Sequence, residues 1–220
     1  MPEALLVFLK YPRAGAVKTR LAAALGAERA AELYRGWIGH VFAAIQPLRP
    51  SVRLLAYYDG AERSDFAPWL ALADDWRAQP SGDLGERLRR GLAWALSIGP
   101  ALAIGTDCLE LDAALIRAAY AELSRVEVVF GPAMDGGYYL VGMRDDHRAI
   151  FEGVRWSCPE TLANHLMRCR ELGLTHALLP ARQDIDTLAD WEDYCRRQGR
   201  TVEWSTADRS TVDGSTVEGA

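Results

Sequence analysis

Short apolar runs alternate along the chain with longer segments in which apolar residues recur every three or four positions. The short runs are typical of buried strands, and the longer segments are typical of helices with one buried face. Strands are predicted at 4–10, 52–58, 76–79, 101–105, 126–130, 138–143 and 176–179. Helices are predicted at 28–46, 66–73, 84–98, 112–124, 159–172 and 187–198, and another begins after the first strand and its loop.

This alternation predicts an α/β fold: a three-layer α/β/α sandwich with a mostly parallel sheet and helices on both faces. The strand at 138–143 follows its predecessor closely, so we expect it to pair antiparallel or to lie at the sheet edge. Ligands of such sheets bind beyond the carboxyl ends of the strands. The residues directly after each strand are therefore the candidates for function.

The length of 220 residues fits one domain, which we place at 1–204. Residues 205–220 are rich in Ser, Thr, Asp and Gly and contain a near-repeat, STVDG and STVEG, so we expect a disordered tail. The net charge of −5 argues against a nucleic-acid partner but leaves room for a small phosphorylated ligand.

The chain has no apolar run long enough for a membrane span and no signal-peptide pattern, so a cytoplasmic protein without a membrane partner is expected. Its four cysteines form no C-x-x-C pair, which favours reduced thiols and argues against a zinc site. The sequence does not indicate an oligomeric state.

The stretch ALLVFLKYPRAGAVKTRL, residues 4–21, carries a basic loop after the first strand. A glycine lets backbone N–H groups approach an anion, and lysine and arginine add charge, so such a loop is typical of a phosphate site. The loop matches neither the Walker A motif nor G-x-G-x-x-G. It can also be read as a surface turn, with Lys10 as an exposed strand end.

Acidic residues follow three other predicted strands. Asp107 follows 101–105, the segment Asp135-Gly136-Gly137-Tyr138 follows 126–130, and Asp184 and Asp186 follow 176–179. Together with the basic loop they predict a site for a di- or triphosphate and Mg²⁺, which takes carboxylate and phosphate oxygens.

Each acidic residue also has a purely structural interpretation. Asp107 could cap the turn before the next helix, and Asp135 with its two glycines could form a tight turn. Asp186 or Thr187 is expected to be the N-cap of the last helix, and Asp184 to lie behind the site or to face solvent.

Five motifs in order resemble a bacterial family of GT-A-like transferases, often labelled radical-SAM/selenodomain-associated transferase 1 or glycosyltransferase. The motifs are FLKYPRAGAVKTRL, QPSGDLGERL, IGTDCLEL, GPAMDGGYYLVG and DIDTLADW. The same motifs are similar to those of 2-phospho-L-lactate guanylyltransferases and, more distantly, of molybdenum-cofactor guanylyltransferases. The chain departs from the family at Cys108-Leu109, where Cys-Pro is usual.

The resemblance implies the nucleotide-diphospho-sugar transferase fold, a nucleotide or nucleotide-sugar donor and a small-molecule acceptor. It implies that Asp107 and Asp186 bind Mg²⁺ or Mn²⁺. It implies that nucleotide contacts come from the first loop and from the segment after the third strand, at Lys10, Gly15, Lys18, Thr19, Arg20, Gln79, Gly82, Asp83 and Leu84. The acceptor would meet Asp135, Gly136, Gly137 and Tyr138, and the catalytic residues would be Lys18, Asp107 and Asp135.

Two reactions fit these residues. In glycosyl transfer, which we favour, an acceptor hydroxyl attacks the sugar of a nucleoside diphosphate sugar, and Asp135 is the candidate base. In nucleotidyl transfer, an acceptor phosphate attacks a nucleoside triphosphate and pyrophosphate leaves, held by Lys18 and Arg20. A protein that binds a nucleotide without catalysis is the third possibility.

Overall fold

A computed structural model of the protein describes residues 2–49, 51–156 and 158–199. Seven strands lie in this part of the chain: β1 Glu3–Lys10, β2 Val52–Asp59, β3 Asp75–Ala78, β4 Ala101–Ile104, β5 Val128–Pro132, β6 Tyr138–Met143 and β7 His176–Leu178. The α-helices there are α1 Thr19–Leu25, α2 Ala27–Ile45, α3 Leu84–Leu96, α4 Ala113–Leu123, α5 Thr161–Glu171 and α6 Leu188–Arg197. Short 3₁₀ helices span Gln46–Leu48, Arg63–Leu72 and Arg148–Phe151. The predicted tail at 205–220, and the last residues of the predicted domain, lie outside the described residues.

The strands form one sheet in the order β3-β2-β1-β4-β6-β5-β7. All neighbouring pairs are parallel except those of β6, which runs antiparallel to both β4 and β5. The predicted mostly parallel sheet with helices on both faces is therefore confirmed. The strand β6 is antiparallel, as one of the two expectations had it, but it lies inside the sheet rather than at its edge.

The sheet separates two hydrophobic cores. Helices α1, α2, α4 and α6 cover one face, and α3 and α5 cover the other. Alternate residues of β1 point into opposite cores, with Leu5 and Val7 in the first and Ala4 and Leu6 in the second, all fully buried. Because both faces of β1 are buried, the strand is apolar along nearly its whole length. Each of its buried leucines contributes about 2 kcal/mol to folding.

Side-chain caps fix where the helices begin. The Asp83 carboxylate accepts the Glu86 N–H at 2.8 Å and starts α3, and Asp112 does the same for α4. At α6 the N-cap is Thr187, whose hydroxyl accepts the Asp190 N–H. Asp107 and Asp186 are therefore not helix caps, which leaves both carboxylates free for other contacts.

None of the helices in the described segments combines the length and the apolar character that a membrane crossing requires.

Candidate active site

A cavity of about 690 Å³ opens where β1 and β4 end and β6 begins. The cavity lies beyond the carboxyl ends of the parallel strands, so side chains from both faces of the sheet line it. We call one part the charged side; it consists of Lys18, Arg20, Asp107, Asp184 and Asp186. We call the other part the apolar side; it consists of Phe8, Leu84, Leu88, Ala103, Tyr138 and Val141. Apart from Leu84, the apolar side packs with the second core, whereas Lys18 of the charged side lies against Trp37 of the first core.

Lys18 is the centre of the charged side. Its Nζ lies 3.1 Å from Asp107 Oδ1 and 2.8 Å from Asp186 Oδ1, and it donates to the Ile185 carbonyl at 2.7 Å. Its side chain is only 6% exposed and lies against the Trp37 ring. Burial acts to lower the pKa of Lys18, but the two carboxylates outweigh it, so the pKa is raised and the ammonium remains charged.

The backbone at Lys18 has a left-handed conformation, with φ of 47°, and no other described residue except glycine has a positive φ. For an L-residue this conformation costs about 1 kcal/mol. Strained residues of this kind are concentrated at functional sites, where the surrounding contacts hold them. The contacts that hold Lys18 are its bonds to Asp107, Asp186 and the Ile185 carbonyl.

Asp184 is a third carboxylate on the charged side. Its Oδ1 is buried and has no hydrogen-bond partner in the described part of the chain. Burial and the neighbouring charge of Asp107 raise the pKa of Asp184 to about 7. The sequence favoured a position behind the site or in solvent, but the structure places Asp184 in the cavity lining.

These groups suit a divalent cation. No cluster of three or more His, Cys, Asp or Glu ligands occurs within the described residues. However, Asp107 and Asp186 direct one oxygen each at the same ammonium, and a buried oxygen of Asp184 lacks a partner beside them. Magnesium in phosphate-transfer sites needs only one or two carboxylates, because the substrate phosphates complete its coordination.

A buried hydroxyl pair positions the strand ends under the cavity. Tyr34 Oη accepts the Lys10 backbone N–H at 3.1 Å and lies 2.8 Å from Thr106 Oγ1. Burial, followed by the charge of Asp107, raises the pKa of Tyr34 to about 12, so it stays neutral. The pair joins α2 to the ends of β1 and β4 and so fixes the backbone next to Asp107.

A polar network borders the apolar side. Arg87 donates to Asp59 Oδ2 at 2.7 Å, to Gln79 Oε1 at 3.1 Å and to the Gly82 carbonyl at 3.2 Å. The Gln79 amide in turn donates to the Tyr57 carbonyl at 2.7 Å. Arg87 and Gln79 are thus bonded within the protein and define the shape of the rim.

Most residues proposed from the sequence line this cavity. Those in the lining are Lys10, Lys18, Thr19, Arg20, Gln79, Gly82, Leu84, Asp107, Tyr138 and Asp186. Those outside it are Gly15, Asp83, Asp135, Gly136 and Gly137. Asp83 caps α3, and Asp135 accepts the Gly137 N–H at 2.9 Å within a tight turn.

The sequence analysis did not assign several lining residues to the site. They are Arg87, Tyr34, Thr106 and Tyr139 and, on the apolar side, Phe8, Leu88, Ala103 and Val141. Arg87 belongs to a basic run, Arg87–Arg90, that also fits a solvated helix face. Arg89 and Arg90 do pair with Glu86 on the same helix, whereas Arg87 turns to the rim. The position of Arg87 next to the loop 79–85 was the one feature of the sequence that could have placed it at the site.

Comparison with known proteins gives a family and a fold. A family model described as "Uncharacterized protein conserved in bacteria (DUF2064)" matches residues 42–158. The crystal structure of a candidate nucleotide-diphospho-sugar transferase from Desulfovibrio desulfuricans G20 is 29% identical, with a TM-score of 0.83 over 92% of this chain and 90% of that one. No curated protein sequence matches the chain significantly.

Two more distant structures share the fold. A CMP:2-keto-3-deoxy-manno-octonic acid synthetase complexed with CTP is 10% identical, with a TM-score of 0.56 over 90% of this chain and 99% of that one. Rv0371c from Mycobacterium tuberculosis H37Rv, in complex with manganese, is 14% identical, with a TM-score of 0.55 over 87% of this chain and 97% of that one. The predicted fold, that of the nucleotide-diphospho-sugar transferases, is confirmed.

Proposed function

The chain belongs to the bacterial family DUF2064, and we propose that it is a metal-dependent transferase that uses a nucleotide-activated donor. The observation that carries the proposal is the buried Lys18 ammonium between Asp107 and Asp186, in a cavity at the carboxyl ends of the parallel strands. Ligands of α/β sheets bind at this edge. The likeness to a nucleotide-diphospho-sugar transferase and to the CTP-bound synthetase supports a nucleotide donor.

The charges of the site support a metal ion and a diphosphate together. Lys18 and Arg20 are opposed by Asp107, Asp186 and the buried Asp184, so the charged side has little free positive charge. Asp107 and Asp186 would hold Mg²⁺ or Mn²⁺. When bound, this ion would neutralise the donor phosphates and the leaving group. Lys18 and Arg20 would then contribute their charge to the phosphates.

Among the possible reactions we favour glycosyl transfer from a nucleoside diphosphate sugar to a small-molecule acceptor. The 29% identity to a candidate nucleotide-diphospho-sugar transferase supports this choice, as does the resemblance of the motifs to the GT-A-like family. Asp135 was the candidate base, but its carboxylate is exposed, bonded to the Gly137 N–H and outside the cavity lining. The proposal therefore rests on the charged side and not on Asp135.

Nucleotidyl transfer is the second candidate. The observation that favours it is the basic pair Lys18 and Arg20, since a leaving pyrophosphate carries more charge than a nucleoside diphosphate in the other reaction. A third possibility is a protein that binds a nucleotide in the same cavity without turning it over.

A thermal-shift screen in Mg²⁺ against nucleoside triphosphates and nucleoside diphosphate sugars separates these candidates. A ligand at 100 times its Kd should add about 2.7 kcal/mol to the free energy of unfolding. We expect one nucleoside diphosphate sugar to stabilise the protein, and chelation of the metal with EDTA to remove the effect. Stabilisation by one triphosphate alone would favour nucleotidyl transfer, and no stabilisation by any nucleotide would contradict the proposal.

A further inference from the structure

We infer that the site takes up its divalent cation together with the diphosphate of the donor and not as a free ion, and that Lys18 imposes this restriction. The inference rests on the proposed function, which assigns Asp107 and Asp186 to the metal and Lys18 to the donor phosphates. It adds the chemical form of the ligand, a metal–diphosphate complex, and a second role for Lys18 as a competitor of the free ion.

The donors of the Lys18 ammonium already have partners. An ammonium has three N–H groups, and three acceptors lie close to Lys18 Nζ. They are Asp107 Oδ1 at 3.1 Å, Asp186 Oδ1 at 2.8 Å and the Ile185 carbonyl oxygen at 2.7 Å. A phosphate can therefore accept a hydrogen bond from this ammonium only if one of the present partners releases it.

The carboxylates are also compensated by positive charge. The oxygens that face the ammonium are Oδ1 of Asp107 and Oδ1 of Asp186, and the second oxygen of Asp186 lies 3.7 Å from Arg20 Nη1. A divalent cation at these carboxylates would have to compete with two positive charges for the same negative ones. Like charges repel more strongly in a partly buried site than in water, so a free ion should bind weakly.

A free ion would also take from Lys18 the two carboxylates that neutralise it. The Lys18 side chain is only 6% exposed, so a displaced ammonium would gain little contact with water. Asp184, the remaining acidic group of the charged side, accepts no hydrogen bond from Lys18 with its buried oxygen. A buried charge that loses its partner is strongly destabilising, and this cost opposes the entry of a free ion.

A metal–diphosphate complex removes both difficulties through an exchange of partners. The ammonium moves from the carboxylates to a phosphate oxygen, and the carboxylates bind the ion that arrives with the phosphates. Every charge keeps a partner of opposite sign. The bond from the ammonium to phosphate is of the same charge-assisted kind as the bond to a carboxylate that it replaces.

A lysine at this position suits such an exchange. Among the 25 lysines and arginines of the chain, only Lys10 and Lys18 are lysines, and both line the cavity. An arginine binds a carboxylate with a planar fork of fixed geometry, whereas the lysine ammonium is a compact charge on a flexible stem. The chain thus places its two lysines where a cation has to change partners.

The first test is a titration with Mn²⁺ alone, followed by the electron paramagnetic resonance signal of the free ion. We expect the wild-type protein to bind Mn²⁺ weakly. Lys18→Met should bind Mn²⁺ about tenfold more tightly or better, because the competing ammonium is removed. Asp107→Asn in the Lys18→Met background should lose this gain, which places the ion at the charged side.

Arg13→Met is the matched control. It removes the same charge from an exposed position in the same loop, outside the cavity lining, so its affinity for Mn²⁺ should equal that of the wild-type protein. Circular dichroism of each variant checks folding. An equal gain in Arg13→Met would show that the effect comes from net charge and would overturn the inference.

The second test follows Lys18 in the wild-type protein and so does not depend on a variant that folds. Lysine labelled with ¹³C at the ε-methylene should give two nuclear magnetic resonance signals, which Lys10→Arg assigns. Lys18 Nζ lies 5.5 Å from the centroid of the Trp37 ring, so a displaced side chain should change its chemical shift. Mg²⁺ alone should leave the Lys18 signal in place, whereas Mg²⁺ with UDP, CDP or GDP, added one at a time, should move it for at least one nucleotide.

The outcomes separate the inference from the proposed function. Equal affinity of the wild-type protein and Lys18→Met for Mn²⁺ alone would overturn the inference, and so would a shift of the Lys18 signal caused by Mg²⁺ alone. The proposed function survives both results if a nucleotide still tightens Mn²⁺ binding to the wild-type protein. If no nucleotide does so, although Lys18→Met gains affinity for Mn²⁺, the proposed function is wrong, and with it the metal–diphosphate form of the ligand.

Discussion

The charged side and the apolar side of the cavity are built by opposite means. The charged side unites residues far apart in the chain, such as Lys18, Asp107 and Asp186, whose charges are bonded to one another. The apolar side comes from side chains on one face of neighbouring strands and from Leu84 and Leu88 of α3, and the buried hydroxyl of its Tyr138 has no partner among the described residues. The charged side is therefore organised by specific ion pairs, whereas the apolar side is shaped by the packing of the sheet against α3.

Removal of one carboxylate should affect only the charged side, and it is the largest effect that we predict. Asp107→Asn should lower kcat/KM by about 10³-fold, since a metal site that stabilises developing charge is worth several kcal/mol. Folding should be retained, because Asp107 is 41% exposed and caps no helix. Steady-state kinetics measures the loss. Asp145→Asn, at an exposed carboxylate paired with its neighbour Arg144, is the control, and an Asp107→Asn enzyme of wild-type activity would remove the metal assignment.

Replacement of Lys18, the ammonium at the centre of the charged side, should weaken binding of the donor. Lys18→Met should raise the KM of the donor about tenfold or more, because it removes a charge from the phosphate site. Arg13→Met, in the same loop but exposed and outside the cavity lining, should have no effect on this KM. Equal KM values for the two variants would place Lys18 outside the donor site.

The tight turn at Asp135–Tyr138 should contribute to the stability of the fold. Gly136 has φ of +89°, and a Cβ added there would lie 2.0 Å from the Pro159 carbonyl oxygen. Gly136→Ala should therefore cost about 3 kcal/mol in the free energy of unfolding, from a clash added to backbone strain.

Gly153 provides the matched control, since its φ is also positive, at +70°, but no atom lies within 4 Å of an added Cβ. Gly153→Ala should cost only about 1 kcal/mol, measured by chemical denaturation. Equal costs for the two variants would show that the contact with Pro159 is not tight. Because this turn leads into Tyr138, it links α5 to the apolar side.

The smallest predicted effect is a pH dependence of the stability, caused by a histidine that packs against the apolar side. His165 is fully buried behind Tyr138, and burial lowers its pKa from the ordinary value of 6.5. Below pH 6.5 this histidine therefore takes up a proton in the unfolded chain more readily than in the folded protein, so the free energy of unfolding falls as the pH drops. Above pH 6.5 the histidine is neutral in both states and does not change the stability with pH. The slope cannot exceed about 1.4 kcal/mol per pH unit.

Denaturation at pH 7.5, 6.5 and 5.5 tests this point. His165→Phe should lose less stability than the wild-type protein over this interval, because the variant has no proton to take up. His176→Gln, on the edge strand β7, should keep the wild-type dependence. Parallel curves for wild type and His165→Phe would contradict the assignment.

The sequence predicted the charged side better than the apolar side, for a physical reason. Strands that alternate with helices specify a parallel sheet, and charged residues after the strands then converge at one edge. The position of β6 between β4 and β5 was left open, because a closely following antiparallel strand can pair on either side. Strand β1 pairs directly with β4, but the presence of Tyr138 and Val141 beside Ala103 depends on the position of β6, so it could not be predicted.

Two acidic residues show the same limit. Asp184 and Asp135 both follow strands, yet the first lines the cavity with an unpartnered oxygen and the second accepts a hydrogen bond within its own turn. Spacing alone does not distinguish a carboxylate that faces a ligand from one that closes a turn. The distinction depends on the surroundings of each carboxylate, which for Asp184 include Lys18 and Asp107, residues far away in the sequence.

The most direct test of the account is a Mn²⁺ titration followed by electron paramagnetic resonance, with and without a nucleoside diphosphate. In the wild-type protein the nucleotide should tighten Mn²⁺ binding beyond the affinity of the free nucleotide, and Asp107→Asn should abolish this gain. If wild type and Asp107→Asn bind Mn²⁺ equally in the presence of the nucleotide, the charged side is not a metal–diphosphate site.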